Sequence, residues 1–372
     1  MVARAVGAVS LKAAKELQER EMKMVETVED RERFLQAQLE EVKKLINAGG
    51  NALRQGQTEA GGDALSEAMA ILDMAEEETD EHRRHLARVL NELGVVHQRQ
   101  GRMEESRDHH GRAAALCEAI VESDPSFAPN AAATHLNLSS VRLADDDVEG
   151  AKESGARALS FLDQAPEEDQ KTGQYVALAL GAHQNLSVIH ARSESWEEAG
   201  AEMEAALDAA ADLPVESQAN YVLQVAQGCQ QLSVLLFGAD KHEEALKWGR
   251  KAEELSEQGY EALGPQALQV YVISELNLIS YQEKLGNFAD AEDSLWKALD
   301  VAGKDPRIVL RGLAFYETCR KQADPRLEAG NLPREEVDAG LKEIEEIVES
   351  LGGVEKLRAE VDRLQRSAPA SR

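Results

Sequence analysis

The chain repeats itself, and no other feature constrains its fold as much. The segments LNELGVVHQRQGRMEES, LNLSSVRLADDDVEGA, HQNLSVIHARSESWEEA, CQQLSVLLFGADKHEEA and LNLISYQEKLGNFADA share one pattern, and INAGGNALRQGQTEAGG precedes them as a sixth copy. Aligned without gaps on Gly49, Gly94, Ser139, Ser187, Ser233 and Ile279, successive copies lie 45, 45, 48, 46 and 46 residues apart. Self-similarity at such a period means one supersecondary unit stacked on copies of itself.

Fixed offsets from those anchors carry the same chemistry. Nineteen residues on stand Ala68, Ala113, Ala158, Ala206, Ala252 and Ala298, in a chain where about one residue in seven is alanine. Twelve residues on stand Gly61, Ser106, Ala151, Ala199, Ala245 and Ala291, all small. Seven residues on stand Gly56, Gly101, Asp146, Glu194, Asp240 and Gly286, mostly turn formers. Small residues belong where two antiparallel helices approach closely, and a Gly or Asp between them ends the first helix and permits a tight turn. The pattern predicts helical hairpins with apolar surface on both sides, which must stack to bury it.

This small–turn–small–Ala register resembles the tetratricopeptide repeat over roughly residues 38–305. It departs from that pattern in period, about 46 instead of the usual 34, and in placing His97 and His190 where the pattern favours Tyr. The long period resembles the variant of kinesin light chain-type scaffolds. The resemblance implies an all-α, right-handed α-solenoid of six helix-turn-helix repeats with capping helices.

Composition agrees. Nine prolines in 372 residues, and no Val/Ile/Thr-rich alternating runs, leave helix as the default. A formal net charge of −28, from 69 acidic and 41 basic residues, repels nucleic-acid phosphates and anionic membranes. Cys117, Cys229 and Cys319 lie far apart and suggest neither a disulfide framework nor a zinc site, which fits a reducing, cytoplasmic setting. No stretch approaches the roughly 20 apolar residues that span a bilayer. Near the N-terminus Arg4, Lys12 and Lys15, with no acid before Glu16, leave a targeting peptide open beside a frayed helix start.

The expected organisation has four parts. Residues 1–37 form a charged helix, a cap or a short coiled coil, with Leu17, Met24, Val28 and Leu35 at heptad-like spacing. Residues 38–305 form the repeats, and 306–324 a capping helix. Residues 325–372 form a linker to about Pro333, then an amphipathic helix that caps the stack or pairs with a partner or second copy, and a disordered tail SAPASR.

The resemblance implies that first helices line a concave surface, with the residue two before each anchor pointing into it. Those residues are Asn47, Glu92, Asn137, Asn185, Gln231 and Asn277. An amide both donates and accepts, so it matches an extended peptide backbone, although Asn also serves helix–helix packing. Five residues past the anchors stand Arg54, Arg99, Ala144, Arg192, Gly238 and Lys284. With Lys43 and Arg88 they would make the groove basic and suited to an acidic peptide or helix, or they simply oppose helix dipoles. The carboxylate clamp of chaperone-binding relatives is excluded: its positions fall on Ile46, Gly50, Glu92, Ala133 and Asn137, and Glu92 would repel a carboxylate.

Chemistry has little support. His82 and His85, with His109 or His110, could ligate a metal, but DEHRRH reads better as a solvated helix start. His183 and His190 read as packing residues. Glu197–Glu198 and Glu243–Glu244 belong to helix N-termini, where acids oppose the dipole. No phosphate loop or hydrolase motif is present. The expectation is a scaffold without enzymatic activity, cofactor or metal, holding a protein or peptide partner in its groove. The rival readings are a ligand-responsive receptor and a self-assembling structural protein, the latter a homo-oligomer through its terminal helices.

Overall fold

A computed structural model describes residues 28–367 apart from 75–78, 167, 169, 171 and 212–214. The expectations for Leu17, Met24 and residues 368–372 lie outside the described residues. Among the described residues there are sixteen α-helices and no strand. They are α1 Val28–Arg54, α2 Thr58–Asp73, α3 Asp80–Arg99, α4 Met103–Ser123, α5 Ala128–Ala144, α6 Val148–Asp163, α7 Gly173–Arg192 and α8 Trp196–Ala211. There follow α9 Val215–Gly238, α10 His242–Leu263, α11 Leu268–Leu285, α12 Phe288–Ala302, α13 Pro306–Arg320, α14 Asp324–Ala329, α15 Arg334–Ser350 and α16 Val354–Ser367. They form two compact units, which divide between Ile189 and His190 near the end of α7.

One turn recurs six times. Gly56, Gly101, Asp146, Glu194, Asp240 and Gly286 all have left-handed backbone, with φ of 76°, 74°, 59°, 58°, 60° and 85°. In each, the amide of the next residue reaches back five residues: Gln57 to Ala52, Arg102 to His97, Asp147 to Arg142, Ser195 to His190, Lys241 to Leu236 and Asn287 to Gln282, at 2.9–3.0 Å. This is the Schellman closure, which satisfies carbonyls at the end of the first helix. Glycine takes this conformation freely and Asp at small cost, while a residue such as Glu194 is strained there.

The small residues sit where the helices meet. A Cβ on Gly49 would lie 2.7 Å from the Leu65 side chain and one on Gly94 would lie 2.5 Å from the His110 ring. The Ser106 and Ser139 hydroxyls donate across their hairpins to the Gly94 and Ala151 carbonyls at 2.8 and 2.7 Å. The six aligned alanines are 0–1% exposed. The hairpin frame inferred from spacing is therefore the frame observed.

In the first unit, Val42, Ile46, Leu53, Leu65, Leu72, Val89, Leu93 and Val96 form one core. Helix α1 runs unbroken through residues 37 and 38. In the second unit α11–α16 close around an aromatic core that includes Phe288, Phe315 and Tyr316. The stretch 325–333, expected as a linker, is packed: Leu327 and Leu332 are fully buried there, and the Gly330 carbonyl accepts from the Ala289 amide at 3.0 Å. Two leucines spaced across a turn gain more by burial than a free linker gains in chain entropy.

Candidate functional site

The predicted groove residues of the first unit sit along its first helices, and most are already engaged. Lys43 is held by Glu40 and Glu81, both at 2.9 Å. Arg88 donates to the Asn47 side chain at 3.3 Å. Arg54 donates to Asn51 at 2.6 Å, and Arg99 to the Leu53 carbonyl at the end of α1, also at 2.6 Å. Asn137 donates to Asn91 Oδ1 at 3.0 Å, an oxygen that also meets His110 Nδ1 at 3.0 Å. Asn185 donates to the Ser140 hydroxyl at 3.0 Å, which itself donates to the Leu136 carbonyl. Asn47, Asn137 and Asn185 thus link neighbouring first helices, while Asn47 stays exposed and the other two half-exposed.

In the second unit Arg192 ends α7, Gln231 is exposed on α9, and Asn277 and Lys284 lie half-buried and exposed on α11. Gln230, beside Gln231, is the residue the spacing missed. It is buried, and its amide donates to both the Val270 carbonyl and the Ser274 hydroxyl at 2.7 Å, binding α9 to α11. Asn91 holds the same register, three before its anchor. The other copies put Ile46, Leu136, Gln184 and Leu276 there, so no ladder marks the position in the sequence.

Charge is distributed unevenly between the two helices of a hairpin. Helix α5 carries Arg142 alone, α7 Arg192 alone and α9 Glu216 alone, whereas α10 carries nine charged residues. The first helices α5, α7 and α9 therefore present Asn, Gln, Ser and short apolar groups, while α11 carries Glu275, Glu283 and Lys284. Val234, one after its anchor, is 51% exposed, the more exposed of two exposed large hydrophobics among the described residues. The cations predicted to line the groove are concentrated on α1 and α3.

The histidines behave differently from a solvated helix start. His82 is buried and its Nε2 lies 2.8 Å from the Leu72 carbonyl, tying α2 to α3. Thr79 caps the same helix by accepting from the His82 amide. His85 is half-buried 3.8 Å from Glu81, and burial lowers its pKa. His110 is fully buried, and burial with His109 beside it holds its pKa at about 4. Among the described residues no group of three His, Cys, Asp or Glu could hold a metal ion. Burial pushes Cys117 up to about 11 and Cys229 and Cys319 up to about 12, so all three remain thiols. The Glu197–Glu198 and Glu243–Glu244 pairs lie in the first turns of α8 and α10, as their sequence suggests. No helix among the described residues is long and apolar enough to cross a membrane.

Comparison with known proteins matches two families: residues 86–126 to a tetratricopeptide repeat and residues 216–349 to a Family of unknown function (DUF6483). No curated protein matches the chain. Among solved structures, the apo form of the quorum sensor NprR from B. thuringiensis is similar at 14% identity, covering 97% of this chain and 94% of that one, with a TM-score of 0.48. BtubC (BKLC) from P. vanneervenii is similar at 14% identity over 70% of this chain and 91% of that one, with a TM-score of 0.45. A putative kinesin light chain of nearly identical repeats from Podospora anserina is similar at 13% identity over 60% and 97%, with a TM-score of 0.44. Likeness this distant carries nothing about what this chain does.

Proposed function

We propose, from the premise that the chain is a tetratricopeptide-repeat protein, that it is a non-enzymatic interaction scaffold whose first-helix faces hold a segment of a partner protein. The observation that carries this is the segregation of charge: α5, α7 and α9 have one charged residue each in a chain of net charge −28. A solvated helix face is ordinarily the charged one. A face of amides, hydroxyls and an exposed Val234 costs little to desolvate and can pair with peptide N–H and C=O groups.

Within each unit the recognition surface is the first-helix face: Asn47, Arg88, Asn137 and Asn185 in the first, Gln231, Val234, Asn277 and Lys284 in the second. Arg54, Arg99, Arg192 and Lys43 belong to its margins. Acidic side chains of the partner would be received by Arg88 and its neighbours on α1 and α3, and neutral stretches by α5, α7 and α9. The three buried thiols fit a reducing, cytoplasmic setting.

The test is quantitative pull-down with the full chain, comparing the original protein with Val234→Asp and with an Asn137, Asn185, Asn277 triple alanine variant. Val234 is exposed, so its substitution leaves folding intact. Loss of the same captured proteins in both variants, with unchanged circular dichroism, is expected. Undiminished capture by Val234→Asp refutes the docking face in the second unit. Undiminished capture by the triple variant refutes the amide reading.

A further inference from the structure

Beneath the surface of the second unit lies a carboxylate that nothing so far uses. Glu275, on α11, is 0% exposed, and no hydrogen bond of ordinary length reaches its oxygens, although the Tyr271 and Ser294 hydroxyls stand near enough to favour its carboxylate. Helix α10 brings Glu253 and Glu257 to it, and α12 brings Lys297. The Lys297 ammonium is bonded to Glu253, lies 3.0 Å from Glu257, and stops 3.9 Å from Glu275. One turn earlier on α11, the buried Tyr271 hydroxyl faces Glu275 without a hydrogen bond of ordinary length, and Lys297 sits 5.9 Å from its ring centre. Ser294, one turn before Lys297, donates to Gln282 at 3.3 Å and also favours the Glu275 carboxylate. Helix α9 contributes the neutral Gln230, committed to Val270 and Ser274. The α13 guanidinium of Arg311 is taken by Glu283 at 2.6 Å. Three carboxylates thus share one ammonium, and the most deeply buried of them is the one left out.

An ionised carboxylate so buried, with its cation 3.9 Å away and shared with two other acids, is costly, and the cheapest relief is a proton. We propose that Glu275 is a proton-operated joint between α10, α11 and α12. Holding its proton, it lies neutral beneath Lys297, which stays with Glu253 and Glu257. Giving the proton to water, it becomes the strongest pull on Lys297, which moves inward and releases the two α10 carboxylates. The tie between α10 and α12 then weakens. Burial first, and Glu253 second, raise the Glu275 pKa to about 7, so the change falls near neutrality.

The direction of the pH effect follows. The folded chain keeps the proton to about pH 7, whereas an unfolded Glu loses it near 4.5. Stability from the neutral acid is full below 4.5 and is lost as pH rises toward 7. This does not depend on any partner.

The experiment is hydrogen exchange of the full chain between pH 5 and 8, corrected for intrinsic rates, on the original protein, Glu275→Gln and Lys297→Met. Protection of residues 288–302 in the original should fall on the order of a hundredfold across that range, and stay flat in Glu275→Gln. In Lys297→Met the loss should shift to higher pH, because the ionised Glu275 has lost its only cation. A fall in Glu275→Gln equal to that of the original overturns the joint, as does flat protection in the original. An unmoved transition in Lys297→Met overturns the role of the lysine. If Glu275→Gln fails to fold, the other two proteins still decide the matter.

Discussion

The two units build the same joint from different residues. Glu118 on α4, His135 on α5 and Arg157 on α6 occupy the register positions that Glu257, Glu275 and Lys297 occupy on α10, α11 and α12: twenty-four after the preceding anchor, four before the anchor and eighteen after it, in that order. In both, the cation stands 3.0 Å from the outer glutamate. In the first unit the middle residue completes the set: His135 Nε2 lies 3.1 Å from Glu118, and both His135 and Arg157 stack on Phe161. In the second unit the middle residue is an acid, and the cation stands 3.9 Å from it, beyond hydrogen-bond reach. Burial drives both middle groups neutral but from opposite sides, lowering His135 and raising Glu275. The repeat frame fixes where a side chain goes. The residue type decides whether acid or base threatens it.

Exchanging the middle residues tests this most directly. His135→Glu should install the buried acid in the first unit and cost about 3 kcal/mol at pH 8, with much less at pH 5. Denaturant unfolding at the two pH values measures it, and equal losses would show that the joints are not equivalent. Acid should act on the histidine-bearing unit in the opposite sense. His110, at about 4 when folded against 6.5 when not, loses stability as pH falls below 6.5, by about 2 kcal/mol or more at pH 4.5. His110→Gln should flatten that decline in a thermal melt series.

Glu275→His, the reverse exchange, should gain about 1 kcal/mol at pH 8 by meeting Glu257 with a group that bonds to it. An unchanged melting temperature at pH 8 would count against it. The smallest effects probe the frame common to both units. Gly101→Ala should cost about 1 kcal/mol, because a Cβ disfavours φ of 74°, while Glu194→Gly at 58° should gain a few tenths or more. Equal signs for the two would mean the turns are not one structure.

Much of the frame was legible because it is local. Alanines at 68 to 298 and turn residues at 56 to 286 follow from spacing within one hairpin, and helix geometry converts spacing into position. The candidate site was legible only in part. Asn137 and Asn185 were found by register, but that their amides link first helices depends on Asn91 and Ser140, roughly a repeat away. His82 looked solvated within DEHRRH because its partner, the Leu72 carbonyl, belongs to another helix.

By itself the sequence determined the hairpin, its period, its turn and its close-packed seam, since each rests on steric rules acting over a few residues. Only the tertiary structure decided which side chains lost their water and which charges met. Nothing in ISELNLIS says that Glu275 is buried beneath Lys297. That depends on helices 22 residues ahead on either side being stacked against it. Desolvation and charge pairing are properties of what surrounds a group, and stacking brings those surroundings from elsewhere in the chain.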